Sequence, residues 1–264
     1  MAPGGTLGAS PLEHVLHSYD IRLLFPWRRT PPHLGGSHVY NPGWYTWLPD
    51  IWEHLILSYN VRSVLDLGCG AGFSTRWFQE RVGTALGVEA DPEALAHRQC
   101  DHIVTHDYAR GAFVPVDIYD LAWCAEFVEH VEQQHMANWM ATLQRCRYVC
   151  MTFAVPGQHG HHHVNEQPEE YWLDRFHQAG FDHLADESAS LRATADDEAW
   201  GRTTLTFFRN RVVGHPDPSW LLRPMKQEAT VLKAKHGAQA LAMFAVPFFL
   251  IGAGLAVARY GAKG

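Results

Sequence analysis

The stretch SVLDLGCGAGFST, residues 63 to 75, constrains the chain more than any other. Ser63 to Leu67 is a short, mostly apolar run, the pattern of a buried strand. Gly68, Gly70 and Gly72 then strip side chains from alternate positions, and Phe73 to Phe78 resumes with helical spacing. A strand, a bare turn and a helix start make a socket in which backbone N–H groups face outward and a ligand can touch the main chain. The occupant such a socket suits is a nucleotide-like cofactor.

The rest of the chain reads as an α/β domain with extensions. Strand signals fall at Ala85–Glu89, Ile103–Val104, Tyr119–Cys124 and Arg147–Ala154, with helical segments between them. Asp91-Pro92 has the N-cap and first-turn chemistry of a helix start, and Glu126 to about Arg145 is expected to be one helix. Residues 156–168 form a Gly/His loop, Glu169–Ala179 a helix stopped by Gly180, and Phe181–Thr194 with Thr203–Arg209 a closing strand pair. This alternation predicts a Rossmann-like, seven-stranded, mostly parallel sheet with an antiparallel terminal hairpin. Organisation follows: 1–60 as an N-terminal lid and helix, 61–210 as the core, 211–237 as a proline-marked linker. The segment 238–258, uncharged over 21 residues, would span about 31 Å as a helix, enough for a bilayer. That places the domain on a membrane, facing the cytoplasm; without the anchor it would be cytoplasmic.

Charge narrows the partners. With 21 Lys and Arg against 28 Asp and Glu, the formal charge is −7, which disfavours a phosphate-tracking surface and makes nucleic acid an unexpected partner. The five cysteines form no CxxC pair, consistent with a reduced compartment. Oligomeric state leaves no mark in the sequence.

Two carboxylates complete the socket. Glu89, 21 residues past Gly68 at the end of the second strand, suits both ribose hydroxyls of a nucleoside, and Asp107, after the third strand, suits an adenine amino group. The GxGxG spacing, unlike GxGxxG, argues against NAD. LDLGCGAG, GVEADP and DLAWCAEFVEHV, in that order, resemble class I S-adenosylmethionine-dependent methyltransferases over about residues 61–210. The resemblance implies S-adenosylmethionine held by Asp66, Gly68, Gly70 and Gly72, by Glu89 and Asp107, and by the Cys124-Ala125-Glu126 segment, with Ala125 lining the cofactor. Residues 40–47 would contribute to a lid.

Glu126, Glu129 and His130 stand at i, i+3 and i+4, one face of the expected helix, where two carboxylates and an imidazole suit Mg²⁺, Mn²⁺ or Zn²⁺. The ExxEH pattern resembles that of quinone-biosynthesis and small-RNA 2′-O-methyltransferases, in which a histidine from the loop after strand five completes a metal site. Four of the 18 histidines lie within 159–163. His163 is the choice, because HVN followed by QPxxYW resembles small-molecule and glycan methyltransferases; His161 and His162 remain alternatives. Without a metal, His130 or His163 would serve as the general base. The expected activity is O-methylation of a small, lipid-linked or glycan acceptor. The rival readings are a histidine-cluster metal hydrolase and a non-catalytic S-adenosylmethionine-binding module.

Overall fold

The computed structural model describes residues 33–34, 46–195 and 201–213, all within the first of two units into which the chain divides, Met1–Met225. Their strands form one seven-stranded sheet in the order β3-β2-β1-β4-β5-β7-β6. These are β1 (Ser63–Leu67), β2 (Thr84–Glu89), β3 (Ile103–Thr105), β4 (Tyr119–Cys124), β5 (Cys146–Met151), β6 (Phe181–His183) and β7 (Thr206–Asn210). β1 to β5 pair in parallel; β7 runs antiparallel to both β5 and β6, so only that strand is reversed.

Alternation along each strand builds two cores. Val64, Leu121, Trp123 and Phe207 face one side and pack with α1 (Pro49–Tyr59) and α2 (Phe73–Val82). Leu65, Leu67, Ala122, Cys124 and Phe208 face the other, against α4 (Met136–Leu143) and α5 (Glu169–Gln178). α3 (Pro92–Ala96) begins as its sequence demands, with the Asp91 carboxylate accepting the Glu93 N–H at 2.9 Å.

Two expected elements differ. The helix expected from Glu126 is instead two 3₁₀ turns, Val128–His130 and Gln133–His135, before α4 begins at Met136. Glu126 takes φ +50°, which no helix accommodates. The expected strand 181–194 ends at His183. Ala185–Thr194 is a helix, α6, because alanines, Glu187, Leu191 and Arg192 are good helix formers and its charges suit the helix dipole. A short helix, α7 (Gly201–Thr204), precedes β7. Both closing strands survive, but a helical excursion replaces the tight hairpin.

Among the described residues no helix is long and apolar enough to cross a membrane. The segment 238–258, the linker beyond Val213 and lid residues 40–45 lie outside the described residues.

The tightest cluster surrounds Trp52 of α1, fully buried among Trp47, Trp77, Phe78 and Trp123 with ring centroids 5.0–5.6 Å away. Trp52→Ala is expected to cost about 3–5 kcal/mol, read as a lowered denaturation midpoint. A cost below about 1 kcal/mol would mean that this cluster does not anchor α1.

Candidate functional site

The sheet order reverses between β1 and β4, so the segments leaving their carboxyl ends bound one crevice, the usual ligand position in such sheets. The first segment is the glycine turn. Gly68, Gly70 and Gly72 all have positive φ, at 68°, 56° and 82°. Two of them also admit protein neighbours: a Cβ on Gly68 would meet Phe127 at 2.7 Å, and one on Gly72 would meet Ile103 at 2.6 Å. The glycines therefore serve backbone conformation and packing as well as ligand approach.

Beneath the turn lies Asp66, 2% exposed, whose Oδ2 accepts from Ser74 and Thr75 hydroxyls at 2.7 Å each. It ties β1 to the first turn of α2. Burial pushes its carboxyl up to about 6, against the lowering effect of both hydroxyls.

Glu89 binds the turn directly. Its Oε2 accepts the Gly70 N–H at 2.7 Å, and Oε1 accepts from Ala90 and Asp91 N–H at 2.7 and 2.8 Å. Burial still leaves it raised above the ordinary carboxylate range. About four acceptor positions exist on a carboxylate, so one remains for a ribose hydroxyl; taking both would require a backbone bond to yield.

Asp107 is more heavily engaged. Oδ1 accepts the Ala109 N–H at 2.9 Å, while Oδ2 meets His33 Nε2 at 3.0 Å and Arg110 Nε at 3.3 Å. Burial would raise its pKa, but those donors and cations hold it below the usual carboxylate range. An adenine amino group at Asp107 would compete with His33.

The second segment follows β4. Ala125 is half-buried there. Glu126 is fixed through Thr152, whose hydroxyl accepts the Glu126 N–H at 2.8 Å and donates to Glu126 Oε1 at 2.7 Å. Glu129 is 0% exposed, and neither of its carboxylate oxygens, nor Glu126 Oε2, accepts a hydrogen bond. Burial, then the mutual repulsion of the two carboxyls, drives Glu129 far above the ordinary range; burial also raises Glu126.

The loop after β5 closes over them. Val164 and Asn165 N–H groups donate to the Glu129 carbonyl at 2.9 and 3.1 Å, which pins His163 above the turn. One ligand atom each from Glu129, His130 and His163 lies within 4.8 Å of the others. The His130 and His163 rings meet edge to face at 5.0 Å. Desolvation, with the His163, His161 and His162 rings nearby, pushes His130 down to about 3.

The structure thus brings together Glu129, His130 and His163, as the sequence led one to expect, but through a 3₁₀ turn and not an α-helix face. Glu126 sits beside Glu129, outside that closest triad and held by Thr152. Sequence reasoning missed Thr152, a polar residue ending an apolar strand, and Phe127, whose role is steric. It also missed Glu166, which meets His163 Nδ1 through Oε1 at 3.1 Å.

Residues 64–147 match the sequence model of a family described as "Methyltransferase domain". The chain is 36% identical over 75 residues to a tRNA U34 carboxymethyltransferase of a Shewanella species, covering 28% of this chain and 22% of that protein. It is 35% identical over 103 residues to the same-named protein of Photobacterium profundum, covering 38% of this chain and 32% of that one. The chain therefore spans a third or less of the length of these two relatives. An S-adenosylmethionine-dependent methyltransferase structure from Mesorhizobium loti superposes with a TM-score of 0.44 at 17% identity, covering 64% of this chain and 99% of that one.

Residues 64–147 are a methyltransferase domain, and the resemblance to class I S-adenosylmethionine-dependent enzymes stands. Two expectations are corrected. Nucleic acid cannot be set aside as a partner on net charge, because the matched relatives are named for tRNA; a formal charge of −7 averages over a surface and does not describe one face. Membrane anchoring is withdrawn for the same names and because the described helices contain no span.

Asp66 gives a pH prediction. Its pKa is raised in the folded chain, so its contribution to stability is present below about pH 4 and lost as pH rises through about 6. Asp66→Asn removes this titration, and the fall in unfolding free energy across pH 4–6 should flatten by roughly 3 kcal/mol. Parallel stability curves for the two proteins would show that Asp66 titrates normally.

Proposed function

We propose that this chain transfers a methyl group from S-adenosylmethionine to a hydroxyl oxygen of its acceptor. The observation that carries the reading is the buried Glu129 carboxylate without a donor, within 4.8 Å of His130 and His163. It lies beside a glycine turn suited to the cofactor.

The residues fit both groups that such a reaction would use. Gly68, Gly70 and Gly72 supply the bare turn, Glu89 retains one acceptor position for a ribose hydroxyl, and Asp107 is the candidate for the adenine side. Glu129, His130 and His163, with Glu126 beside them, offer the carboxylate and neutral imidazole donors that a divalent cation such as Mg²⁺, Mn²⁺ or Zn²⁺ accepts. Bound there, the cation supplies Lewis acidity that lowers the pKa of an alcohol. His130 is suited to this role and poorly suited to proton abstraction, because desolvation holds it neutral and weakly basic at physiological pH. The sulfonium methyl is already activated; the protein must align the acceptor oxygen with it and assist loss of its proton. The matched relatives bring tRNA in as an acceptor to be assayed beside small hydroxyl compounds and glycans.

Glu129→Gln and chelation by EDTA should each reduce methyl transfer at least about a hundredfold, with affinity for S-adenosylhomocysteine unchanged in calorimetry. Mg²⁺, Mn²⁺ or Zn²⁺ should restore the chelated enzyme. Full turnover after chelation would replace the metal with a plain base, for which His163 is the better placed. Glu89→Ala should weaken S-adenosylhomocysteine about tenfold or more, the loss of one charge-assisted hydrogen bond. A change below twofold would place the ribose elsewhere.

A further inference from the structure

Glu166 has no assigned part in the site, yet it gathers the whole histidine loop. Its Oε2 accepts the Gly157 N–H at 2.8 Å and its Oε1 the His159 N–H at 2.6 Å. The third partner, at 3.1 Å from Oε1, is His163 Nδ1. Both backbone partners can only donate, so this carboxylate is an acceptor on each oxygen. The His163 contact is then Nδ1–H donating to Oε1, and in the neutral ring that tautomer carries its lone pair on Nε2.

Gly160 bears on the opposite side of the same ring. A Cβ built on Gly160 would lie 2.2 Å from His163 Nε2, closer than any side chain permits. Only a glycine lets the main chain at 160 pass this close to the Nε2 edge of the ring. The loop accepts left-handed backbone at Gly157, His159 and His162, with φ of 87°, 56° and 51°. Conformations of this kind persist where surrounding bonds over-determine them, and Glu166 supplies two of those bonds.

We propose that Glu166 is the positioning residue of this site: it holds the His163 proton on Nδ1 and so presents the Nε2 lone pair to the cluster formed with Glu129 and His130. The idea deepens the metal-assisted reading given above and rests on it for its purpose, though the tautomer can be judged independently. A carboxylate bonded to the far nitrogen of a ligating imidazole fixes its orientation and increases its basicity, and loss of such a partner costs 10–100-fold in metal affinity.

The full chain labelled with ¹⁵N-histidine reports the tautomer directly in long-range ¹H–¹⁵N spectra, with His163→Gln identifying the signal. The wild-type ring should be protonated at Nδ1. In Glu166→Ala it should shift toward the Nε2–H form, whereas Glu166→Gln, whose amide oxygen can still accept, should retain Nδ1–H. Titration of the chelated proteins with Zn²⁺ should show affinity reduced 10–100-fold in Glu166→Ala and largely rescued in Glu166→Gln. A wild-type Nε2–H tautomer, or a folded Glu166→Ala with the wild-type tautomer, overturns the proposal. If Glu166→Ala does not fold, the wild-type and Glu166→Gln spectra decide it, since both must show Nδ1–H. No Zn²⁺ binding to the wild type, with the tautomers as expected, overturns the metal reading and leaves Glu166 as the residue that orients His163.

Discussion

The close approach of Phe127 to the main chain at Gly68 joins the two halves of this site. β1 and β4 are neighbours in register, Val64 to Asp66 against Leu121 to Trp123, so their carboxyl ends lie about one strand spacing apart. The segments that leave those ends must share the space above the sheet. A ring can enter only where the opposing residue lacks a Cβ, and Gly68 is that residue. Phe127 continues into a cluster with Tyr108 and Trp139, at centroid distances of 5.7 and 6.3 Å. The cofactor turn and the acidic turn are thereby fixed to one another through the core.

That fixation has a backbone cost. Glu126 adopts φ +50°, a conformation that non-glycine residues rarely take. Thr152 offsets the cost by bonding both the amide and the carboxylate of Glu126 from the neighbouring strand's end. The turn at Glu126 redirects the chain so that Glu129 and His130 meet the loop after β5. An α-helix beginning at Glu126 would have placed the same three residues on one face without Phe127 entering the crevice.

The sheet and its glycine turn were legible in the sequence because their signals are local. Apolar runs ended at turn residues, and positive φ was recoverable from glycine itself. The acidic turn was not legible as structure, although its residues were: the ExxEH spacing satisfies a helical period, but the Thr152 contact that overrides it lies 26 positions away. β6 misled for a different reason. Phe181 opens a true strand, and the apolar positions continue past its end, while Ala185, Ala189 and Leu191 already carried a helical signal that the strand reading passed over. Glu166 and Thr152 were hidden because each acts by accepting or donating hydrogen bonds within a loop or strand end, a role that residue type alone does not announce.

The two kinds of carboxylate in the crevice differ in what their surroundings have already satisfied. Glu89 and Asp107 are held by donors: three backbone N–H groups on one, and a backbone N–H with His33 and Arg110 on the other. Such groups can give up little without a replacement donor, which a ribose hydroxyl or an adenine amino group supplies. Glu129 is the reverse. Its carbonyl is saturated by Val164 and Asn165, yet its buried carboxyl oxygens accept no hydrogen bond of ordinary geometry. Burial of an unpaired carboxylate is costly, so this side chain is poised either to keep a proton or to take a cation. The chain spends its backbone donors on the half of the crevice suited to a neutral, hydrogen-bonding cofactor portion. It leaves the other half short of positive charge, the deficit that a cation bound there would fill.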